Sequence, residues 1–399
     1  MFAACDLAQE ARLASWRSGE AAAEKMGRHA LVPQLRQSCE SPIRILGHRT
    51  LDELFGDGGS VMSYSSVGVL RPGLPWLGLR RRRPIQPGSV RPLKLAPIAP
   101  RRDEGWMREE VARLESAALV PHDRYLVAAA GAAQIPALLR EIGRLREITF
   151  RSAGEGTGRE LDLDLFDRTY EHLFVWDRQA GELVGAYRLG ETERLRPVFG
   201  AAGLYTHSLF ELDDAFFAAL GPAIELGRSF VRAEYQRSAG ALMLLWKGIG
   251  QLVLARPKVK MLFGAVSVSA GYSPASRALI AASLSHHYGE PALAAHVRPR
   301  RPLRPGWRAR RKARMAAASA PERLSQLVAA EEPDSKGLPV LVREYLKLGG
   351  RFLAWNVDPA FAGVLDGLVV VNLARTSPRL LEFYMGGQAA DFLAAHAGT

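Results

Sequence analysis

Apolar positions keep a regular period only from about residue 107 onward. Between Gln134 and Phe150, Ile135, Leu138, Ile142, Leu145 and Ile148 recur every three or four positions, which predicts an amphipathic helix. A shorter helix over 107–115 and a strand over Arg124–Ala128 precede it. The period then drops to two. His172–Trp176 and Leu183–Arg188 read as strands joined by the polar turn Asp177–Glu182, where Gly181 marks a hairpin. Further strands are expected over Gly203–Leu209, Ile224–Arg232 and Lys260–Val268. Helices are expected over Phe216–Leu220, Leu242–Ala255 and Pro274–His286, the last opened by Ser273 as N-cap and Pro274 at the first helical position. A helix over Pro339–Leu348 stops at Gly349-Gly350, and strands follow over Arg351–Val357 and Gly367–Leu373. The outcome is a mixed α/β chain whose early strands come in hairpins instead of a regular βαβ series.

Residues 1–106 carry no comparable pattern. Seven prolines between Arg71 and Pro100 exclude regular helix or central strand there. We read 1–106 as an extension with a Pro/Arg-rich linker, and 107–395 as the folded domain with a basic insertion near 298–320. At 399 residues and 48% hydrophobic, the chain is long and apolar enough for a full-sized core. Cys5 and Cys39 both fall in the extension, so neither a disulfide framework nor a thiolate metal cluster is expected. No apolar run reaches the roughly 18 residues that span a bilayer, and the N-terminus lacks the layout of a signal peptide. A cytoplasmic protein is expected, with peripheral contact at the inner membrane left open.

Charge sharpens that expectation. Residues 80–102 hold eight basic side chains and residues 298–314 nine, with no acid in either run; together they exceed the formal net charge of +12. No nucleic-acid reading module accompanies them, so nucleic acid is not expected. An acidic carrier protein, an anionic membrane surface or a solvated connector all fit, and Trp307 with Leu303 tilts toward a membrane.

The chemistry centres on Glu225-Leu226-Gly227-Arg228-Ser229-Phe230-Val231. A spacing of three puts Glu225 and Arg228 on opposite faces of an ideal strand unless a bulge intervenes. Each needs a partner if buried, and Arg188 on a neighbouring strand is one candidate. The turn Arg237-Ser238-Ala239-Gly240-Ala241 before an apolar helix partly fits a loop that wraps a pyrophosphate with backbone N–H groups. Asp162, Asp164 and Asp167 follow the glycine-rich Gly154–Gly158 and read either as a seat for a cationic substrate or as a solvated loop. His172-(x4)-Asp177 has the spacing of a glycerolipid O-acyltransferase dyad, but lies in a strand and a turn without the companion segment; we read it as coincidence.

From about 107 to 395 the chain resembles the GNAT-related N-acyltransferases of bacterial aminolipid synthesis, the ornithine-lipid type, often described as hemolysin-like. The likeness is carried by Glu141–Arg151, Glu171–Asp177, Gly185–Gly190, Gly203–Thr206, Glu225–Val231, Trp246–Gly250, Val297–Arg300, Leu348–Gly350 and Asn356-Val357-Asp358-Pro359-(x)-Phe361. It is more distantly similar to acyl-homoserine-lactone synthases through Arg146 and Phe150, Asp164 and Asp167, Arg188 and Leu189, and Glu225 and Arg228.

The resemblance implies a GNAT-like, mostly antiparallel sheet flanked by helices. It also implies transfer of a (3-hydroxy)fatty acyl group from acyl carrier protein to the α-amine of ornithine, with no metal and no cofactor beyond the acyl-carrier or acyl-CoA donor. In that scheme Glu225, Arg228 and Arg188 are catalytic, with Glu225 as base. Arg146, Phe150, Asp164 and Asp167 bind the acceptor. Phe230, Arg232, Arg237, Gly240 and Ala241 hold the donor, and backbone N–H groups near Phe230–Ala233 polarise the thioester. Acylation of glycine or another amine, or a non-catalytic membrane-associated protein of the same fold, are the alternatives. Residues 1–106 supply none of the usual O-acyltransferase motifs.

Overall fold

The computed structural model describes residues 95–101, 104–236, 240–315, 320–361 and 363–397. Arg237, both cysteines and the basic run up to residue 94 lie outside them. In chain order the elements are α1 (Glu104–Ala112), β1 (Tyr125–Gly131), α2 (Pro136–Ser152), β2 (Glu171–Asp177), β3 (Glu182–Glu191), α3 (Thr192–Phe199), β4 (Phe210–Leu212), α4 (Asp214–Leu220) and β5 (Ala223–Val231). There follow α5 (Gly240–Leu254), β6 (Met261–Val268), α6 (Pro274–His287), α7 (Pro291–Ala294), β7 (Val297–Pro299), α8 (Trp307–Met315), α9 (Pro321–Ala329), α10 (Val340–Lys347), β8 (Arg351–Asp358), β9 (Val364–Asn372), α11 (Pro378–Met385) and α12 (Ala389–Ala395).

Seven strands form one sheet in the order β1-β2-β3-β5-β6-β9-β8, and every neighbouring pair is antiparallel except β5 with β6. This is the mixed, mostly antiparallel architecture expected. Helices cover both faces because alternate strand residues are apolar on both. Leu126, Ala128, Phe174 and Trp176 pack with Leu138, Ile142 and Leu145 of α2 on one side. Val127, Leu173 and Val175 pack with Leu245, Trp246 and Ile249 of α5 on the other. A Cβ at Gly248 would sit 2.8 Å from both Leu173 and Val127, so glycine there lets α5 lie flat on the sheet. The first turn of α2 has no side-chain cap of its own; buried Glu110 of α1 accepts from the Ala137 and Leu138 amides, both at 2.8 Å. Ile148, expected on the apolar face, is 39% exposed near the end of α2.

Two local outcomes differ from the sequence reading. Gly203–Leu209 is no strand; it forms parts of two tight 3₁₀ turns, Gly200–Gly203 and Tyr205–Ser208. The reason is competition for backbone donors: the Tyr205 and Thr206 amides bond to the Glu225 carboxylate, at 3.1 and 2.6 Å, and are lost to any ladder. The second is a bulge. Ala186 pairs with Phe230 and Arg188 with Gly227, so two residues of β5, Arg228 and Ser229, oppose the single Tyr187 of β3. Arg228 sits there at φ +50°, a conformation that costs a non-glycine residue on the order of 1–3 kcal/mol and collects at functional sites.

The sheet opens in its middle. Parallel pairing between β5 and β6 runs only through Ala223–Met261, Ile224–Leu262 and Glu225–Phe263. Beyond it β5 continues to Val231, while β6 stays paired to β9 through Val268. The strands part there and leave a cleft.

Candidate active site

The cleft encloses about 130 Å³ and takes its walls from both parted strands: Leu226, Gly227, Arg228 and Ser229 of β5 and Ala265, Val266 and Ser267 of β6. Phe150, Glu155, Tyr187, Tyr205, Tyr345, Phe361 and Asp366 also line it, with Leu341 and Val364. The bulge answers the facing problem of Glu225 and Arg228. Glu225 accepts from the Tyr205 amide, and the Arg228 guanidinium lies 5.0 Å from the centre of the Tyr205 ring, so both address the same turn.

Glu225 is fully buried and held by three donors: the Tyr170 hydroxyl and the Tyr205 and Thr206 amides. Burial pushes its pKa up, and the Tyr170 and Thr206 hydrogen bonds pull the other way. Its close partners are therefore a phenol and two amides, with Arg188 acting only through the longer-range field. The carboxyl is absent from the cleft lining; it shapes the Tyr205 wall from behind.

Arg188 belongs to a separate lattice. Its guanidinium pairs with Asp164 at 2.6 Å and Asp167 at 3.3 Å. Arg146, 1% exposed, binds Asp167 at 2.8 Å and Asp162 at 3.2 Å. Arg228 closes it from the cleft side, 3.8 Å from Asp162 and 3.7 Å from Asp164. Three guanidiniums thus compensate three carboxylates. Burial would raise the pKa of Asp167, yet Arg146 and Arg188 hold it far below the carboxylate range. Asp167, 2% exposed, also accepts from the Asp164 amide, so it is closed to any ligand. The expected seat for a cationic side chain thus has both its acids paired with arginines, Asp167 in the interior and Asp164 with its side chain 25% exposed. Arg146 likewise lies out of an acceptor's reach, whereas Phe150 does line the cleft.

The expected donor residues divide in the same way. Gly240 opens α5 and Ala241 is buried against the core. The Phe230 side chain is buried under α2. Arg232 is engaged with Glu182 at 2.5 Å and Glu234 at 3.3 Å, and its amide donates to the Val184 carbonyl at 2.9 Å. Strand alternation then turns the Val231 amide the other way, toward the gap. His172 and Asp177 stand at opposite ends of β2: His172 faces the Asp167 carbonyl at 2.8 Å, with its pKa lowered to about 4 by burial, and Asp177 binds Arg124 at 2.7 Å. No dyad forms.

Sequence reasoning missed two cleft carboxyls. Glu155 follows Gly154, and burial raises its pKa to about 7 although Arg228 lowers it. Asp366 of β9, 4% exposed, is also raised to about 7, chiefly by burial and further by Asp358 and Glu155, against the Ser267 hydroxyl that donates to it at 2.8 Å. A lone acid inside the apolar run Val364–Asn372 was the available signal. Among the described residues no group of three His, Cys, Asp or Glu could hold a metal ion, and no helix is long and apolar enough to cross a membrane.

Residues 145–247 match the acetyltransferase (GNAT) domain family. The L-ornithine N(alpha)-acyltransferase of Rhizobium meliloti is 30% identical over 261 residues, 62% of this chain and 78% of that protein. The chain belongs to the GNAT-related aminolipid N-acyltransferases. Another family member, the glycine N(alpha)-acyltransferase of Bacteroides thetaiotaomicron, is 43% identical over 167 residues, which is 39% of this chain and 49% of that protein. The chain thus spans only about half the length of its glycine-acylating relative. A CoA-dependent acyl-homoserine lactone synthase solved with SAM and isopentyl-CoA aligns over 66% of this chain and 90% of its own, at a TM-score of 0.34 and 11% identity, a likeness too loose to carry any inference.

Proposed function

We propose that this family member transfers a fatty acyl group from a thioester to the α-amine of an amino acid, with the β5/β6 cleft as the place of reaction. The observation that carries this is the parallel pair that separates after Glu225 and Phe263 and leaves Arg228 and Ser229 on an open edge. A parted strand pair offers unpaired amides to a pantetheine arm, and in this reading the Val231 amide polarises the thioester carbonyl. Arg228, whose Nε lacks a hydrogen-bond partner, takes the acceptor's carboxylate. The amine attacks the carbonyl carbon, the C–N bond forms, the C–S bond breaks, and the thiolate leaves as thiol with one of the amine's protons. Glu225 holds the Tyr205–Thr206 turn and thereby the wall facing Arg228.

Glycine is the acceptor we favour. The acids expected to bind an ornithine side chain are neutralised by arginines, and glycine asks for no such charge. Identity is also higher to the glycine-acylating relative. The second reading, ornithine, draws on the longer alignments with ornithine-acylating relatives, which cover 77–78% of those proteins. The donor we favour is acyl carrier protein, whose acidic surface suits the exposed Arg298, Arg300, Arg301, Arg304, Arg308 and Arg311. The test offers acyl carrier thioester and acyl-CoA to the full chain with a panel of amino acids and reads products by mass spectrometry. N-acylglycine from the carrier thioester is expected. Products formed only from ornithine would replace the acceptor, and no product from any pair would end the reading.

A further inference from the structure

An attacking amine must first lose a proton, because an α-amine is largely ammonium at neutral pH. Glu225 does not face the cleft, whereas Asp366 and Glu155 do. Resting on the acyl-transfer reading above, we infer that Asp366 is the base that deprotonates the acceptor, and that Glu155 holds the incoming ammonium beside it, across the cleft from Arg228.

Position separates the two roles. Asp366 stands on β9, flanked in register by Ser267 of β6 and Asn356 of β8, and the Ser267 hydroxyl fixes its Oδ1. A base on a strand paired on both sides is held to the geometry that proton transfer needs. Glu155 comes from the turn that ends α2, where its amide donates to the Phe150 carbonyl at 2.7 Å, and it is less deeply buried. The groups whose fields reach Asp366 come from every side: Arg228 of β5, Tyr205 of the 3₁₀ turn, Glu155, Asp358 of β8 and Arg277 of α6.

The Tyr187 hydroxyl, on the cleft lining and 1% exposed, lies within hydrogen-bonding reach of the Ser229 and Tyr345 hydroxyls. The pKa near 7 of both cleft carboxyls suits the role, since a base works best when its affinity for protons matches the working pH. The proton balance closes. Asp366 takes one proton from the ammonium and later yields it to solvent; the second leaves the nitrogen as the tetrahedral intermediate collapses and ends on the thiol.

The test compares wild type, Asp366→Asn and Glu155→Gln in steady-state transfer to glycine from pH 5.5 to 9. Wild-type kcat is expected to rise with pH to a plateau above about 7, the base being inactive when protonated. Asp366→Asn should lose about 100-fold or more in kcat and flatten that limb. Glu155→Gln should raise the KM for glycine about tenfold with a smaller change in kcat. A folded Asp366→Asn variant with kcat within twofold of wild type and the limb intact would overturn the inference. Should Asp366→Asn not fold, carboxyl ¹³C titration of the wild type replaces it: Asp366 titrating near 7 and shifting down with saturating glycine supports the role, titration near 4 refutes it. If wild type makes no product, the acyl-transfer reading fails by itself. Calorimetry of glycine binding in buffers of different ionisation enthalpy then decides the acceptor wall: proton release on binding supports it, and no release or no binding refutes it.

Discussion

Two groups of charged side chains lie on either side of Arg228, and they behave in opposite ways. Behind it, Arg146 and Arg188 with Asp162, Asp164 and Asp167 form a compensated lattice in which most oxygens already have a guanidinium or an amide. In front of it, Glu155 and Asp366 share one cleft with a single guanidinium between them. The lattice carboxylate Asp167 is held ionised, while the cleft carboxyls are pushed toward neutrality. Both contain acids near arginines at similar depth. What separates them is how closely the arginines pair. The lattice acids hold the Arg146 and Arg188 guanidiniums at 2.6–3.3 Å, whereas Arg228 and Arg277 reach Asp366 through the longer-range field, and burial then lifts the cleft carboxyls toward pH 7.

The sharpest way to break this contrast is Arg146→Ala. It strands Asp167 and Asp162 in the interior, and the loss expected by urea titration is about 3–5 kcal/mol; a cost below 1 kcal/mol would show that the lattice is not a closed ion-pair unit. Asp366→Asn should act in the other direction. A carboxyl with a raised folded pKa favours the folded state below its unfolded pKa and loses that advantage as pH rises through about 7. The variant should therefore be more stable than wild type at pH 9, by on the order of 2–4 kcal/mol, and level with it near pH 4. Asp167 has the reverse sign: its contribution is present above its unfolded pKa and lost only in strong acid, so acid titration of the Arg146→Ala and wild-type pair should converge there. Smaller still is Ser267→Ala. It removes one hydrogen bond to Asp366 and should cost about 1 kcal/mol while moving the pH limb upward, since that bond favours the charged form. Least of all, Asp164→Asn should leave the KM for glycine within twofold, and a large selective loss with ornithine would revive the acidic pair as an acceptor seat.

The sheet was legible because strands buried on one or both faces must repeat apolar residues, and β2, β3, β5, β6 and β8 fall close to where the pattern puts them. Gly203–Leu209 was not, because its backbone answers to a side chain 20 residues away instead of to a neighbouring strand. Arg146, Asp164, Asp167 and Arg188 stood out as charges in an apolar setting, yet the pairing of Arg146 with Asp167 across 21 positions leaves no periodic trace. The facing of Glu225 and Arg228 depended on a bulge that spacing alone left open. Asp366 was visible as one acid in an apolar strand and passed over because the strand was begun three residues late, at Gly367. Glu155 sits in a glycine-rich turn where no pattern separates function from solvation. Helices α11 and α12 were also missed, although their apolar faces join the core over α5.

The central claim is that thioester and amine meet in the gap between β5 and β6. The direct test is mass-spectrometric detection of N-acylglycine made from acyl carrier thioester by wild type and by Ala265→Phe, whose ring would fill the gap from the β6 side. Wild-type product with at least a 100-fold loss in a folded Ala265→Phe protein is the predicted result. Undiminished transfer through a filled gap would contradict it.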